Sequence, residues 1–245
     1  MEDINIILVV LFFLVIIQSI AGVGVLVIGT PFLLITGYNI IDIFSLLLPI
    51  SILTSMINLI FFKLNKKKLK MKIHSNTKYL FFLICVPSIF LGIYFLQLFQ
   101  NQINFRILVS VIIIISLVLA NIKIFISKIN FQIKVLFLSL TGIIHGVTNS
   151  GGTLLSLLMS SYLKKSNSRY SITFFYFFLA LFQFLIFNYF FKFDISSINY
   201  IFLFILVPIG VTFGNFIVNY INENKFKNLI SILSLIACFF LVFSE

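Results

Sequence analysis

The 245-residue chain has no tryptophan, two cysteines, four prolines and only six acidic side chains, against 17 lysines and arginines. Charged residues make up 9% of it, where a soluble domain carries about a quarter, while 61% is hydrophobic and the mean hydropathy is +1.21. So little charge excludes disorder, and it excludes a water-soluble globule, whose core could not hide this much apolar surface. Two cysteines cannot build a disulfide scaffold, and four prolines with 11 glycines cannot build a collagenous chain. The missing tryptophan accompanies abundant Ile, Phe, Lys and Asn and excludes no function. What remains is an integral membrane protein. Residues 4–17, 109–120 and 230–243 carry no charge. Such unbroken runs read as α-helical spans, because barrel strands alternate apolar and polar positions.

The net charge is +11 with a pI near 9.7, which in a soluble protein would point to nucleic acid. The placement of the charge decides otherwise. All 17 basic residues fall in short connections or at segment ends, seven of them between Lys63 and Lys78. They read as topology-setting charges at a membrane surface, and nucleic acid is not an expected partner. Cys85 and Cys238 sit inside apolar segments without metal-ligand spacing and read as small packing residues. Met1-Glu2-Asp3 is acidic where a signal peptide would be basic, so the first apolar segment is expected to be retained.

Eight apolar segments can be marked, at residues 4–37, 43–62, 79–98, 106–122, 133–163, 170–191, 199–219 and 227–243. The first and fifth are too long for one crossing and too short for two. Each holds a Gly-rich interruption: Gly22-Val23-Gly24 and Gly29-Thr30-Pro31 in the first, Gly142, His145-Gly146 and Asn149-Ser150-Gly151-Gly152-Thr153 in the fifth. Sliding the chain on itself by 121 residues lays Val86-Pro87 on Val207-Pro208, Asn101 on Asn222 and Phe105 on Phe226. The same offset lays Gly29-Thr30-Pro31 on Ser150-Gly151-Gly152. The expected organisation is therefore two four-segment membrane repeats, residues 1–125 and 126–245, in one all-α polytopic domain. If segments 1 and 5 are re-entrant, 15 basic residues lie on one side and only Arg106 and Lys192 on the other. If every segment crosses once, the split is 11 to six. The positive-inside rule favours the re-entrant arrangement, in which each repeat crosses three times and the halves are inverted.

Non-helical backbone inside a bilayer strands amide and carbonyl groups at several kcal/mol each, so it persists only where protein or a polar cavity satisfies it. Thr30-Pro31 reads as a cap followed by a helix start, and Asn149 to Thr153 reads likewise. Each start presents free N–H groups and about half a positive charge. Two of them meeting at mid-membrane would form an anion site without a buried Lys or Arg, as in inverted-repeat secondary transporters. The expected substrate-binding residues are Gly22, Gly24, Gly29, Thr30, Pro31, His145, Gly146, Thr148, Asn149, Ser150, Gly151, Gly152 and Thr153. Gly151 and Gly152 would let backbone amides approach the anion, so a bulky residue at 151 should end binding and leave the fold intact.

Other polar and small residues carry blander readings. Ser88-x3-Gly92 and Gly210-x3-Gly214 fit close helix packing. Gln18, Asn58, Gln183 and Asn188 fit cavity lining or interhelical hydrogen bonding, and Asp42 and Asp194 fit an interface. His145 is the one ionisable side chain deep in an apolar segment. Binding substrate, relaying a proton and bonding a carbonyl across the break all fit it. No Walker loop, zinc spacing, nucleophile elbow or carboxylate pair is present, so the sequence calls for no enzyme activity, metal or cofactor. Candidate partners are a small anion, the lipid bilayer, protons as a coupling ion and a second copy of the chain. A passive anion channel and a membrane scaffold or assembly protein stand as alternatives.

The duplicated Gly-rich break followed by a small-residue-Pro-Leu-like stretch resembles the TauE/SafE sulfite-exporter family, also called the toluene-sulfonate uptake permeases. The resemblance is carried by Gly22-Val23-Gly24 with residues 29–34, by residues 142–155, by Val86-Pro87 with Gly92, and by Val207-Pro208 with Gly210 and Gly214. It implies a secondary carrier, without an ATPase motif, for sulfite, sulfonates, sulfoacetate or thiosulfate across a bacterial inner membrane.

Overall fold

A computed structural model describes residues 2–64, 73, 75–121, 131–191 and 200–222, together with 225, 226, 228, 229, 232, 235 and 239. Among these the chain is helical throughout. Helix α1 (Glu2–Ala21) is followed after a three-residue break by α2 (Val25–Ile35), then α3 (Ile40–Leu64). Helix α4 (Ser75–Leu80) passes through a π-helical turn (Phe81–Cys85) into α5 (Val86–Phe99), and α6 (Phe105–Asn121) completes the first half. The second half holds α7 (Phe131–Thr148), α8 (Gly151–Tyr162), α9 (Lys165–Phe191) and α10 (Tyr200–Ile217), which ends in a 3-10 turn (Val218–Tyr220). The segments expected at 43–62, 79–98, 106–122, 170–191 and 199–219 all appear. The eighth, at 227–243, lies largely outside the described residues.

Four helices are long and apolar enough to cross a bilayer: Ile40–Leu64, Thr77–Phe99, Phe131–Thr148 and Lys165–Phe191. Ile6–Ala21, Val25–Ile35, Phe105–Ile115 and Ile205–Tyr220 are shorter and equally apolar. Large apolar side chains face outward along them, among them Phe13, Ile60, Leu91, Ile107 and Phe213. The polar residues go the other way: Gln18, Thr30, Ser51, Asn58, His145, Asn149 and Ser156 are all buried. That inversion is what lipid demands of a bundle.

Helix α1 packs on α10, α5 on α7, and α3 on α9. Small residues set the closest approaches. A Cβ on Gly146 would stand 2.5 Å from the Ile89 carbonyl oxygen and 3.0 Å from the Gly92 Cα, so α5 and α7 touch backbone to backbone. Gly142 meets the Cys85 carbonyl at the same crossing. Gly210 and Gly214 lie against Val15 and Ser19 of α1. The packing roles expected of Gly92, Gly210 and Gly214 hold, and Gly146 shares that role.

Both long segments are broken, though not where the residues Thr30-Pro31 suggest. Helix α1 ends at Gly22, whose φ of +86° suits glycine and whose N–H bonds the Gln18 carbonyl at 2.8 Å. Helix α2 has already begun at Val25, so Thr30 and Pro31 lie inside it, and Gly24 is its N-cap. Pro31 is the seventh residue of α2 and removes one bond, to the Val27 carbonyl, without ending the helix. In the second half, Asn149 closes α7 instead of opening α8. Its φ is +62° and its N–H bonds the His145 carbonyl at 3.0 Å. Asparagine tolerates that left-handed conformation better than other residues bearing a Cβ. Gly22 and Asn149 thus close α1 and α7, both at positive φ.

Candidate functional site

The second break meets the body of α2. Asn149 Nδ2 donates to Thr30 Oγ1 at 3.2 Å, tying the end of α7 to the middle of α2. A Cβ on Gly152 would stand 3.1 Å from Val27 Cγ2, with the Tyr176 ring of α9 closer still. The Tyr176 ring lies 5.9 Å from the His145 imidazole, centroid to centroid. Its hydroxyl faces the Gly24, Leu26 and Val27 amides at the start of α2 and the Ser51 hydroxyl of α3, yet no hydrogen bond of normal geometry forms there. Tyr176 therefore stands between the two helix starts.

The chain's own polar groups satisfy part of this junction. Gln18 Oε1 accepts from the Val25 N–H at 3.1 Å, and Gln18 Nε2 donates to the Ser51 carbonyl at 2.9 Å and to Ser55 Oγ at 3.0 Å. Gln18 is thereby spent on capping α2 and holding α3. Ser150 is the N-cap of α8 but makes no side-chain capping bond; its hydroxyl turns back to the Thr148 carbonyl at 3.2 Å. Thr153 Oγ1 donates to the Ser150 carbonyl at 2.6 Å, and Thr148 Oγ1 to the Ile144 carbonyl at 2.8 Å. The first amides of α8 are left without a side-chain cap.

Several buried polar atoms around the junction have no partner: both ring nitrogens of His145, Asn149 Oδ1, Tyr176 Oη, Gln183 Oε1 and Thr141 Oγ1. Gln183 itself is placed by Nε2, which donates to the His145 carbonyl at 2.8 Å. An unmade hydrogen bond in a buried site costs about 1–3 kcal/mol, so these groups call for water or a bound ligand as partner. Two helix starts, the Tyr176 hydroxyl and the His145 imidazole supply donors, while the free amide atoms of Asn149 and Gln183 are oxygens and no carboxylate stands among the groups named. That chemistry suits a small anion. Among the described residues, no group of His, Cys, Asp and Glu could hold a metal.

Of the residues predicted from sequence, Gly24, Thr30, His145, Asn149 and Gly152 come together here, with Gly22 one turn of chain away. Thr148, Ser150 and Thr153 are buried at the same break but bond to neighbouring carbonyls. Gly29 packs on Leu47 and Leu14, and Gly146 on α5, so both serve helix contact. Gly151 changes role as well. Its absent side chain makes room for the Thr141 carbonyl and for His145 Cβ, 2.6 Å from where a Cβ would be. Valine at Gly151 is therefore expected to destabilise the fold by more than the about 1–3 kcal/mol of ordinary overpacking, since the Thr141 carbonyl is backbone, read as a lower melting temperature in detergent, before any effect on binding. Sequence reasoning missed Tyr176. Its signal was a single hydroxyl in the aromatic run Phe174-Phe175-Tyr176-Phe177-Phe178.

A separate cavity of about 760 Å³ opens at the other end of α2, between the turn at 37–42 and the connection at 100–106. Asp42 is exposed there, as expected of an interfacial carboxylate. Arg106 Nε donates to the Leu34 carbonyl at 3.2 Å and caps α2 from that side.

Apolar helices with inward polar faces, two of them interrupted where buried donors converge, define a multi-pass membrane protein of the transporter kind. The chain matches the family described as Sulfite exporter TauE/SafE over residues 7–241, nearly its whole length, and it belongs to that family. No curated protein and no solved structure matches it.

Proposed function

We propose that this protein is a secondary transporter for a small sulfur-containing or organic oxyanion, of the sulfite or sulfonate kind, in a bacterial inner membrane. The substrate binds where the starts of α2 and α8 face Tyr176. The observation that carries this reading is the convergence of buried groups able to donate at that junction, Tyr176 Oη and the His145 imidazole, beside the α8 start that no side chain caps. They adjoin the amides of α2, of which Gln18 occupies only the first. Family membership supports the class of substrate.

Two inverted halves underlie the reading. The pairs α1–α10 and α5–α7 exchange with one another when the halves are swapped, and α3–α9 maps onto itself. Gly22 and Asn149 end equivalent helices in the same left-handed conformation. Alternating access would then rock one half against the other around the junction. His145 is the imidazole at the junction, 5.9 Å from the Tyr176 ring, and on this reading it carries a coupling proton.

Purified protein in proteoliposomes, given labelled sulfite, sulfoacetate, taurine, thiosulfate or sulfate, tests the reading. Saturable uptake of one anion, driven uphill by a pH gradient, is expected. Flux that never saturates would make the protein a channel, and no flux from folded protein would end the transport reading.

A further inference from the structure

Helix α9 begins with two cations where its own dipole is already positive. Lys165 is its first residue, Arg169 follows one turn later, and no acidic side chain stands in its first turn. A helix start carries about half a positive charge, which favours acidic residues and opposes basic ones. Arg169 is nonetheless only 7% exposed. Sequence reasoning counted it among the loop charges that set topology; it is a buried residue of α9.

The described groups that bond Arg169 are all neutral. Its Nε donates to the Ser19 carbonyl at 2.9 Å, and its Nη2 to that carbonyl and to Asn215 Oδ1 at 2.7 Å. Asn215 Nδ2 donates to Asn58 Oδ1 at 2.9 Å, and Asn58 Nδ2 to Ser19 Oγ at 3.1 Å. The guanidinium carbon lies 4.7 Å above the Phe62 ring. Lys165 Nζ meets the Val218 carbonyl at 2.7 Å and the Ile221 carbonyl. The last turn of α1, which supplies the Ser19 carbonyl, offsets about half a charge, and the start of α9 cancels that gain. Among the described residues no carboxylate pairs with either cation. Buried charges are held by a partner of opposite sign, and this one has none among the described residues.

We propose that Arg169, with Lys165 at its side, is the counter-charge for a bound oxyanion at this end of the bundle, as a second binding position on the substrate path. Arg169 Nη1 makes no hydrogen bond within the described residues, and the neighbouring Ser168 hydroxyl is buried without a partner. One turn further along α9, Ile172 and Thr173 pack directly on Gly22 of the first break. The position therefore adjoins the helix junction. The end it occupies is where α3 leads into the basic segment 63–78, which concentrates anions. That the anion is a transported one rests on the proposed function; that an anion is needed does not.

The test is equilibrium binding of labelled sulfite to the full chain in neutral maltoside detergent, with and without added phosphatidylglycerol. Wild type is expected to bind saturably and Arg169→Gln at least tenfold more weakly. Asn215→Asp is the decisive variant, because it sets a carboxylate on Arg169 Nη2 in place of the amide oxygen and neutralises the cation from within. The second new oxygen loses the bonds that Asn215 Nδ2 made to Asn58 Oδ1 and the Val211 carbonyl, which the ion pair with Arg169 offsets. Asn215→Asp is expected to fold and to lose at least tenfold in affinity. Wild-type affinity in folded Asn215→Asp overturns the proposal. So does protection by phosphatidylglycerol alone, lost in Asn215→Asp, since the oxyanion is then a lipid phosphate and off the substrate path. Arg169-dependent binding in a protein that moves no anion would keep this site and end the transport reading. Saturable transport unaffected by Asn215→Asp would do the reverse.

Discussion

Leucine in place of Gly146 is expected to leave no folded protein to purify. The helices α5 and α7 cross with Gly92, Gly142 and Gly146 at the contact, and a Cβ on Gly146 would already stand 2.5 Å from the Ile89 carbonyl oxygen. The atoms in the way are backbone, which cannot rotate aside as a side-chain tip does. Overpacking costs about 1–3 kcal/mol even where side chains can yield, so a rigid crossing should lose more. The crossing also positions His145, whose carbonyl Gln183 holds at 2.8 Å. Size-exclusion chromatography in detergent gives the answer: Gly146→Leu should run as aggregate, Gly146→Ala as a reduced monodisperse fraction. A monodisperse leucine variant with wild-type melting would mean that α5 and α7 do not meet as described.

The largest functional effect is expected from one atom. Asn149→Asp exchanges an amide nitrogen for an oxygen where the second break meets α2. Aspartate keeps the left-handed conformation nearly as well as asparagine, and Thr30 Oγ1, 3.2 Å from Asn149 Nδ2, can donate to the new oxygen. The fold should therefore survive. A carboxylate about 4 Å from a bound anion repels it by roughly 4 kcal/mol at an effective dielectric of about 20. That corresponds to an affinity loss of about a thousandfold. Asn149→Gly removes the side chain without adding charge and should cost at most about tenfold, so the contrast isolates electrostatics from contact.

Much of this was legible in the sequence, because lipid imposes one rule on every segment. The charge-free runs at 4–17 and 109–120 became helices, the glycines of α5 and α10 became crossings, and both overlong segments proved to be broken. The exact breaks were harder. Pro31 invited a helix start that lies at Val25, because a proline strands only one carbonyl and a helix held by neighbours absorbs that. The informative residues were the left-handed ends Gly22 and Asn149, which close the helices before them. Tyr176 and Arg169 were hidden for a different reason. Both belong to α9 and reach the first break only through tertiary packing, Tyr176 beside Val25–Ile35 and Arg169 on the Ser19 carbonyl. No local pattern encodes a contact 150 residues away.

The most direct test of an anion site where the second break meets α2 is labelled sulfite binding to purified Asn149→Asp beside wild type, at pH 8 in neutral detergent. The account predicts a variant that still folds, with a lower melting temperature because its new carboxylate is buried, and at least a hundredfold weaker binding, Asn149→Gly falling between the two in affinity. Equal affinity in Asn149→Asp and wild type would contradict it and place the anion elsewhere in the bundle.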